Sequence, residues 1–207
     1  DVSTISEDEV SKDASSITTK RTTVPDLTAL LGMTQDEAIA TLQRGAQITS
    51  ALEQNEEGNP VRWEIKISLT SEPSDGKSGT PTVYLSLNEE GRAIRCGYSA
   101  ATSVLGYGSL SFSDAVKNEA IIEKTLAEAG LEVPVGSVEL PADKMAYSSY
   151  GSDGTTLVRE YCSFEGVGTA NGVEHPWSAV LSYDYSAANA TGNLADTVRI
   201  VYVYIDA

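Results

Sequence analysis

The side chains that carry covalent chemistry are few in this chain. A single histidine, His175, stands before Pro176. One histidine would serve a Ser/His/Asp triad, but no Gly-x-Ser-x-Gly elbow is present to expose a serine nucleophile. Gly106-Tyr-Gly108-Ser109 resembles such an elbow only superficially, so His175 reads as an exposed loop residue. Cys96 and Cys162 would act as nucleophiles only beside a base, and both fall in segments that read as strands. They fit one disulfide or two separate buried thiols, and the second is the reading adopted. Ser74-Asp-Gly-Lys77 matches a Ser-x-x-Lys motif, yet it lies in a Pro/Gly loop with no partner motifs and reads as accidental. One His and two distant Cys make no zinc cluster, and Asp75-Gly76 and Asp153-Gly154 are turn formers rather than a calcium loop. No phosphate-binding glycine motif occurs. No catalytic residue, metal or cofactor is therefore expected. Among 30 acidic residues chance carboxylate pairs are inevitable, so a carboxylate-dependent hydrolase stands as the rival reading, with no two acids singled out.

The charge balance narrows the partners. The chain has 14 Lys+Arg against 30 Asp+Glu, a net charge of −16 over 207 residues. That argues against nucleic acid, which is bound through basic patches that release counterions, and against an anionic membrane surface. A hydrophobic fraction of 41% supports a packed core, while no apolar run approaches the roughly 18–20 residues of a membrane span. The chain begins at Asp1 without a basic or apolar leader, as if any targeting segment had been removed or not cloned. Acidity, low Lys and abundant Ser, Thr and Tyr lean towards a secreted or envelope-anchored, lipoprotein-like bacterial surface protein.

These properties must be carried by a definite set of elements. Residues 1–23 form a polar lead with a capping box at Ser6-Glu-Asp-Glu9. Asp26 caps a turn over Leu27–Leu31, and Thr34-Gln-Asp-Glu37 opens a helix that runs to Gly45. Alternation marks a strand over Val61–Leu69, then a loop at 72–79, then Val83–Leu87 and Ala93–Ser99 joined through Asn88–Gly91. Residues 100–110 read as a connector. The strongest helix is expected over Asp114–Ala129, with Ser113 as cap and Gly130 as stop. Strands follow at Leu157–Phe164, Ser178–Tyr185 and Val198–Ile205, with further strands near Ala46–Glu53 and Met145–Tyr150.

The order helix, strand, strand, strand occurs twice. Asp36-Glu-Ala-Ile39 aligns with Asn118-Glu-Ala-Ile121, Val61-Arg62 with Val158-Arg159, Val83–Ser86 with Ala179–Ser182, and Ile94–Tyr98 with Val198–Tyr202. The expected fold is α+β: two related units, 24–105 and 106–207, each a helix or helix-turn-helix followed by a mainly antiparallel three- to four-stranded sheet, or both merged in one compact domain.

Aromatic residues gather in the second unit. Ile200, Tyr202 and Tyr204 alternate with Val201, Val203 and Ile205, and Tyr183 and Tyr185 form a similar row with Ala179 and Leu181. A strand apolar on both faces calls for a cover on both. Tyr183, Tyr185, Tyr202 and Tyr204 are the candidate ligand-binding residues, as either a second core layer or an aromatic sheet face for protein or glycan.

Leu31-Gly-Met-Thr34, followed by Asp36-Glu-Ala and Leu42, resembles the helix starts of the β-lactamase-inhibitor-like and SmpA/OmlA-like envelope proteins, whose tandem units match the repeat. Val24-Pro-Asp-Leu27 with Gly32-Met-Thr34 is similar in part to the opening of a PASTA module. The resemblance implies a non-enzymatic, extracytoplasmic binding or assembly module that presents a sheet face to a protein or cell-wall glycan, or an inhibitor-like protein that binds an enzyme. It transfers no binding residue.

Overall fold

A computed structural model describes residues 21–50, 53–54, 60–62, 64–108 and 110–207. The Ser6 capping box, Trp63 and Ser109 lie outside them. The chain is α+β. Its strands are β1 (Ala46–Ser50), β2 (Glu53–Gln54), β3 (Pro60–Arg62), β4 (Glu64–Leu69), β5 (Thr82–Leu87), β6 (Ala93–Ala101), β7 (Ser148–Tyr150), β8 (Leu157–Ala170), β9 (Val173–Asp184) and β10 (Val198–Asp206). The helices are α1 (Leu27–Leu30), α2 (Gln35–Leu42), α3 (Phe112–Lys117), α4 (Ile121–Glu128) and α5 (Ser186–Thr191).

β2 and β3 pair as a ribbon, and the other strands form one eight-stranded antiparallel sheet in the order β1-β4-β5-β6-β10-β9-β8-β7. Two units with separate three- to four-stranded sheets are therefore not what forms. The reason is the pairing of β6 with β10 from Arg95↔Asp206 to Ala101↔Ile200, which joins the last strands of both halves into a continuous ladder.

Period-two alternation decides which side of the sheet is core. Ile65, Ile67 and Leu69, Val83 and Leu85, and Val201, Val203 and Ile205 are all essentially sealed from solvent. They face Leu27, Leu30, Phe112, Ile121, Ile122 and Leu126 from the helices in one apolar cluster. Burying each such side chain contributes about 1.5–3 kcal/mol before chain entropy is counted. Asp26 accepts from the Ala29 amide and Thr34 from the Glu37 amide, so both helix starts are capped as their sequences require.

Two expectations need correction. The helix expected over Asp114–Ala129 is two helices. Ser111, not Ser113, caps the first, accepting from the Asp114 amide, and Ala120 breaks the run at φ +49°. Apolar spacing across Asn118–Ile121 concealed this turn. The chain around His175 is strand, not loop. Asn171 and Gly172 both take positive φ (50° and 76°), which fits a two-residue hairpin turn and extends β8 and β9 well past their expected ends. His175 is half-buried there, with Nδ1 2.9 Å from the Asp206 carbonyl oxygen.

Both cysteines are free. Cys96 on β6 and Cys162 on β8 share the core face, but β10 and β9 stand between their strands. At about 4.8 Å per strand that is roughly 14 Å, twice the reach of a disulfide. Cys96 is fully enclosed, and burial pushes its thiol from 9.0 up to about 12, whereas Cys162 is half-buried. Native-state alkylation is expected to label Cys162 alone, with Cys96 reacting only on unfolding. A raised thiol pKa adds stability that is full below pH 9.0 and lost as pH rises towards about 12. Denaturation midpoints across that range should fall more steeply for the wild type than for Cys96→Val; parallel curves would contradict the enclosed thiol.

Candidate functional site on the open sheet face

The side of the sheet opposite the helices is built from the alternate residues of the same strands. The ladder lines them up in rows. Glu64, Ser86, Arg95 and Asp206 make one row across β4, β5, β6 and β10. Lys66, Tyr84, Gly97, Tyr204, Ser178 and Glu165 make the next, running on through β9 to β8. Ser68, Thr82, Ser99, Tyr202, Val180 and Ser163 follow. Ala101, Ile200, Ser182 and Tyr161 form a fourth row, and Val198, Asp184, Arg159 and Ser149 a fifth across β10, β9, β8 and β7. On β4, β5 and β10 these residues stay half-buried, or exposed in the case of Lys66, while their neighbours in sequence are enclosed. Among the described residues, the buried side chains of α1 to α5 all belong to the opposite face.

The centre of this face depends on a glycine. A Cβ on Gly97 would collide with the Tyr204 ring, so only glycine lets that ring lie down across β6. Tyr84 lies beside it, ring centroids 5.9 Å apart and planes tilted by 47°. The Arg95 guanidinium sits 4.7 Å from the Tyr204 centroid, a cation–π contact. Arg95 also donates to Ser178 Oγ at 2.9 Å, and its Nε stands 3.6 Å from Asp206 Oδ1. Tyr84 Oη and Ser99 Oγ are hydrogen-bonded at 2.8 Å. Burial, with help from the neighbouring Tyr84 and Tyr202 phenols and against the pull of Arg95, raises Tyr204 to about 12. Burial also raises Tyr202. Both phenols are neutral donors at physiological pH. Glu64, Tyr84, Ser86, Arg95 and Tyr204 line a shallow depression of about 230 Å³.

Of the four tyrosines expected to form a ligand face, Tyr202 and Tyr204 are on it. Tyr183 and Tyr185 are not; both are fully enclosed on the core side. The correction follows from parity: Tyr202 pairs with Val180 and Tyr204 with Ser178, so the neighbouring open row on β9 is Ser178, Val180 and Ser182. Tyr183 instead meets Phe112 edge-on at 5.2 Å and donates to the Leu110 carbonyl at 3.0 Å, and Tyr185 donates to Glu160. The cover expected on the second face of β10 is absent among the described residues. Sequence reasoning missed Tyr84, Arg95 and Tyr161, although the alternation of Thr82, Tyr84 and Ser86 with Val83, Leu85 and Leu87 was the signal for the first.

The face differs from the chain in charge. Its cations are Lys66, Arg95 and Arg159 and its carboxylates Glu64, Glu165, Glu174, Asp184 and Asp206, a small excess of acid against −16 for the whole chain. Arg159 lies over the Tyr161 ring at 4.3 Å. Ser74-Asp-Gly-Lys77 is a turn in which Asp75 accepts from the Lys77 and Ser78 amides. Among the described residues no group of three His, Cys, Asp or Glu is placed to hold a metal ion, and no helix is long and apolar enough to cross a membrane. No family model, characterised protein or solved structure matches the chain.

Gly97→Ala should displace the Tyr204 ring and cost about 1–3 kcal/mol by overpacking. Chemical denaturation measures the loss, and Gly97→Ala combined with Tyr204→Ala should recover part of it. Additive losses would show that ring and glycine are not coupled.

Proposed function

We propose that the protein is a non-enzymatic binding or assembly module that acts outside the cytoplasm and presents its open sheet face to a protein or cell-wall glycan. The observation that carries this is the face itself: eight strands wide, only weakly acidic in a strongly acidic chain, and centred on Tyr84, Tyr161, Tyr202 and Tyr204 among serines. Interface cores are depleted in charge and enriched in Tyr and Arg, and tyrosine offers a large rigid area at low entropy cost. The extracytoplasmic setting rests on composition; the two thiols make no disulfide and add nothing to it.

The strands form one continuous eight-stranded sheet, so the proposal rests on the open face and not on a tandem arrangement of units. The hydrolase reading has little support. The depression is lined by one carboxylate, Glu64. Its nearest row partner, Asp206, lies three strands away, roughly 14 Å between backbones at about 4.8 Å per strand, wider than the ~5–9.5 Å of paired glycosidase carboxylates.

Immobilised protein should retain a component from cell-wall fragments or envelope extracts. Tyr202→Ala with Tyr161→Ala should reduce that retention by about tenfold or more, the effect of losing an aromatic anchor. Equal retention by the wild type and the double variant would remove the face from the account.

A further inference from the structure

Beyond its open face, the sheet has one edge that is left unfinished over a defined length. β7 pairs with only the first residues of β8, from Tyr150↔Leu157 to Ser148↔Glu160. The Tyr161 amide then donates to the Tyr147 carbonyl at 2.8 Å. At the far end Thr169 and Glu132 exchange both backbone hydrogen bonds, 2.8 and 3.0 Å. The edge strand thus starts at Glu132, leaves β8, and returns at Tyr147.

In the gap, parity is set by both ends. Odd residues of β8 turn their backbone groups outwards, as Tyr161 and Thr169 do, while the even ones serve the unbroken ladder to β9. The outward amides of Ser163, Glu165 and Val167 have no partner among the described residues, and their carbonyls receive only a 3.8 Å contact from Cys162 Sγ to Ser163. All three residues are exposed. On the core side of the same stretch, Cys162 and Phe164 remain half-buried although they pack against the core cluster. Trp177 lies beneath Gly166, where even a Cβ would meet its ring. The indole is 5% exposed, yet its Nε1 has no acceptor among the described residues.

We propose that this gap is a β-augmentation site that takes an extended segment of another protein, with Lys or Arg opposite Glu165. Five residues, about 17 Å of strand, would satisfy three outward amides and three carbonyls and restore the edge. Alternate side chains would cover Cys162 and Phe164, and a polar one opposite Gly166 would reach the indole N–H. Charge selects the occupant. Glu165 in the middle and Glu132 at one end are both exposed. Antiparallel self-pairing fits the gap only about its centre, where Glu165 would face its own copy, and like charges directly opposite are destabilising. Residues 1–20 carry Asp1, Glu7, Asp8, Glu9 and Asp13 against Lys12 and Lys20, the wrong sign as well.

The test is amide hydrogen exchange on the full chain, with an acetylated peptide of alternating Val and Thr carrying one central Lys. In the free protein the Ser163, Glu165 and Val167 amides should exchange fast. With peptide at about ten times its dissociation constant they should slow about tenfold. Replacing the peptide Lys by Glu should weaken binding roughly fivefold, and Glu165→Lys should reverse that preference. Val167→Pro removes an amide that the sheet does not use, so it should abolish protection without lowering the melting temperature. No protection by either peptide overturns the proposal. So does slow exchange in the free chain, whether relieved by deleting residues 1–20 or growing with protein concentration as a second copy would require.

Discussion

The register of β10 between β6 and β9 is the constraint on which the rest of the molecule depends. A shift of one residue would carry Val201, Val203 and Ile205 to the open side and bring Tyr202 and Tyr204 into the core. The ladder prevents this from both flanks, since β6 and β9 each pair with β10 over nearly its whole length. β10 also joins the two halves of the chain, so its parity is imposed on every strand out to β1 and β7. One set of alternating residues becomes the core and the other the open face. Core and candidate site are consequences of a single pairing.

Glycines adapt that lattice to aromatic rings on both sides. On the open face Gly97 lets Tyr204 lie flat and brings Arg95 and Tyr84 against it. On the core face Gly166 does the same for Trp177, and Gly168 admits Leu131. A strand glycine forgoes side-chain packing and costs chain entropy. Here the ring of a neighbouring strand fills the space. The polarity of the two faces then diverges for a physical reason. Enclosed Tyr183 and Tyr185 need acceptors within the protein and find them at the Leu110 carbonyl and Glu160, whereas Tyr202 and Tyr204 keep an edge towards solvent.

Much of this was legible in the sequence. Alternation at Ile65–Leu69, Val83–Leu87 and Val201–Ile205 identifies strands and their core residues, and Asp26 and Thr34 mark helix starts. Tyr202 and Tyr204 could be placed on one face because β10 is read from within itself. On β9 the same alternation sets Ala179, Leu181, Tyr183 and Tyr185 against Ser178, Ser182 and Asp184 and points to the core, but whether that row continues Tyr202 and Tyr204 is a matter of cross-strand register, which no single strand encodes. Local turns were the other blind spot. Asn171-Gly172 was a hairpin signal passed over beside His175-Pro176, and Ala120 adopts a backbone conformation its side chain does not favour. The merger of both halves into one sheet is also non-local, since each half reads the same whether β6 meets β10 or ends at solvent.

One face of the sheet is left uncovered by the other described elements while the opposite face is sealed by helices. A soluble paramagnetic relaxation agent distinguishes the two directly, by broadening the ring resonances of tyrosines that solvent reaches. The rings of Tyr84, Tyr161, Tyr202 and Tyr204 should broaden as the agent is added, and those of Tyr98, Tyr183 and Tyr185 should remain sharp. Protection of the Tyr202 and Tyr204 rings to the same degree as Tyr183 would mean that another layer covers the face, and would contradict the claim that it is free to bind.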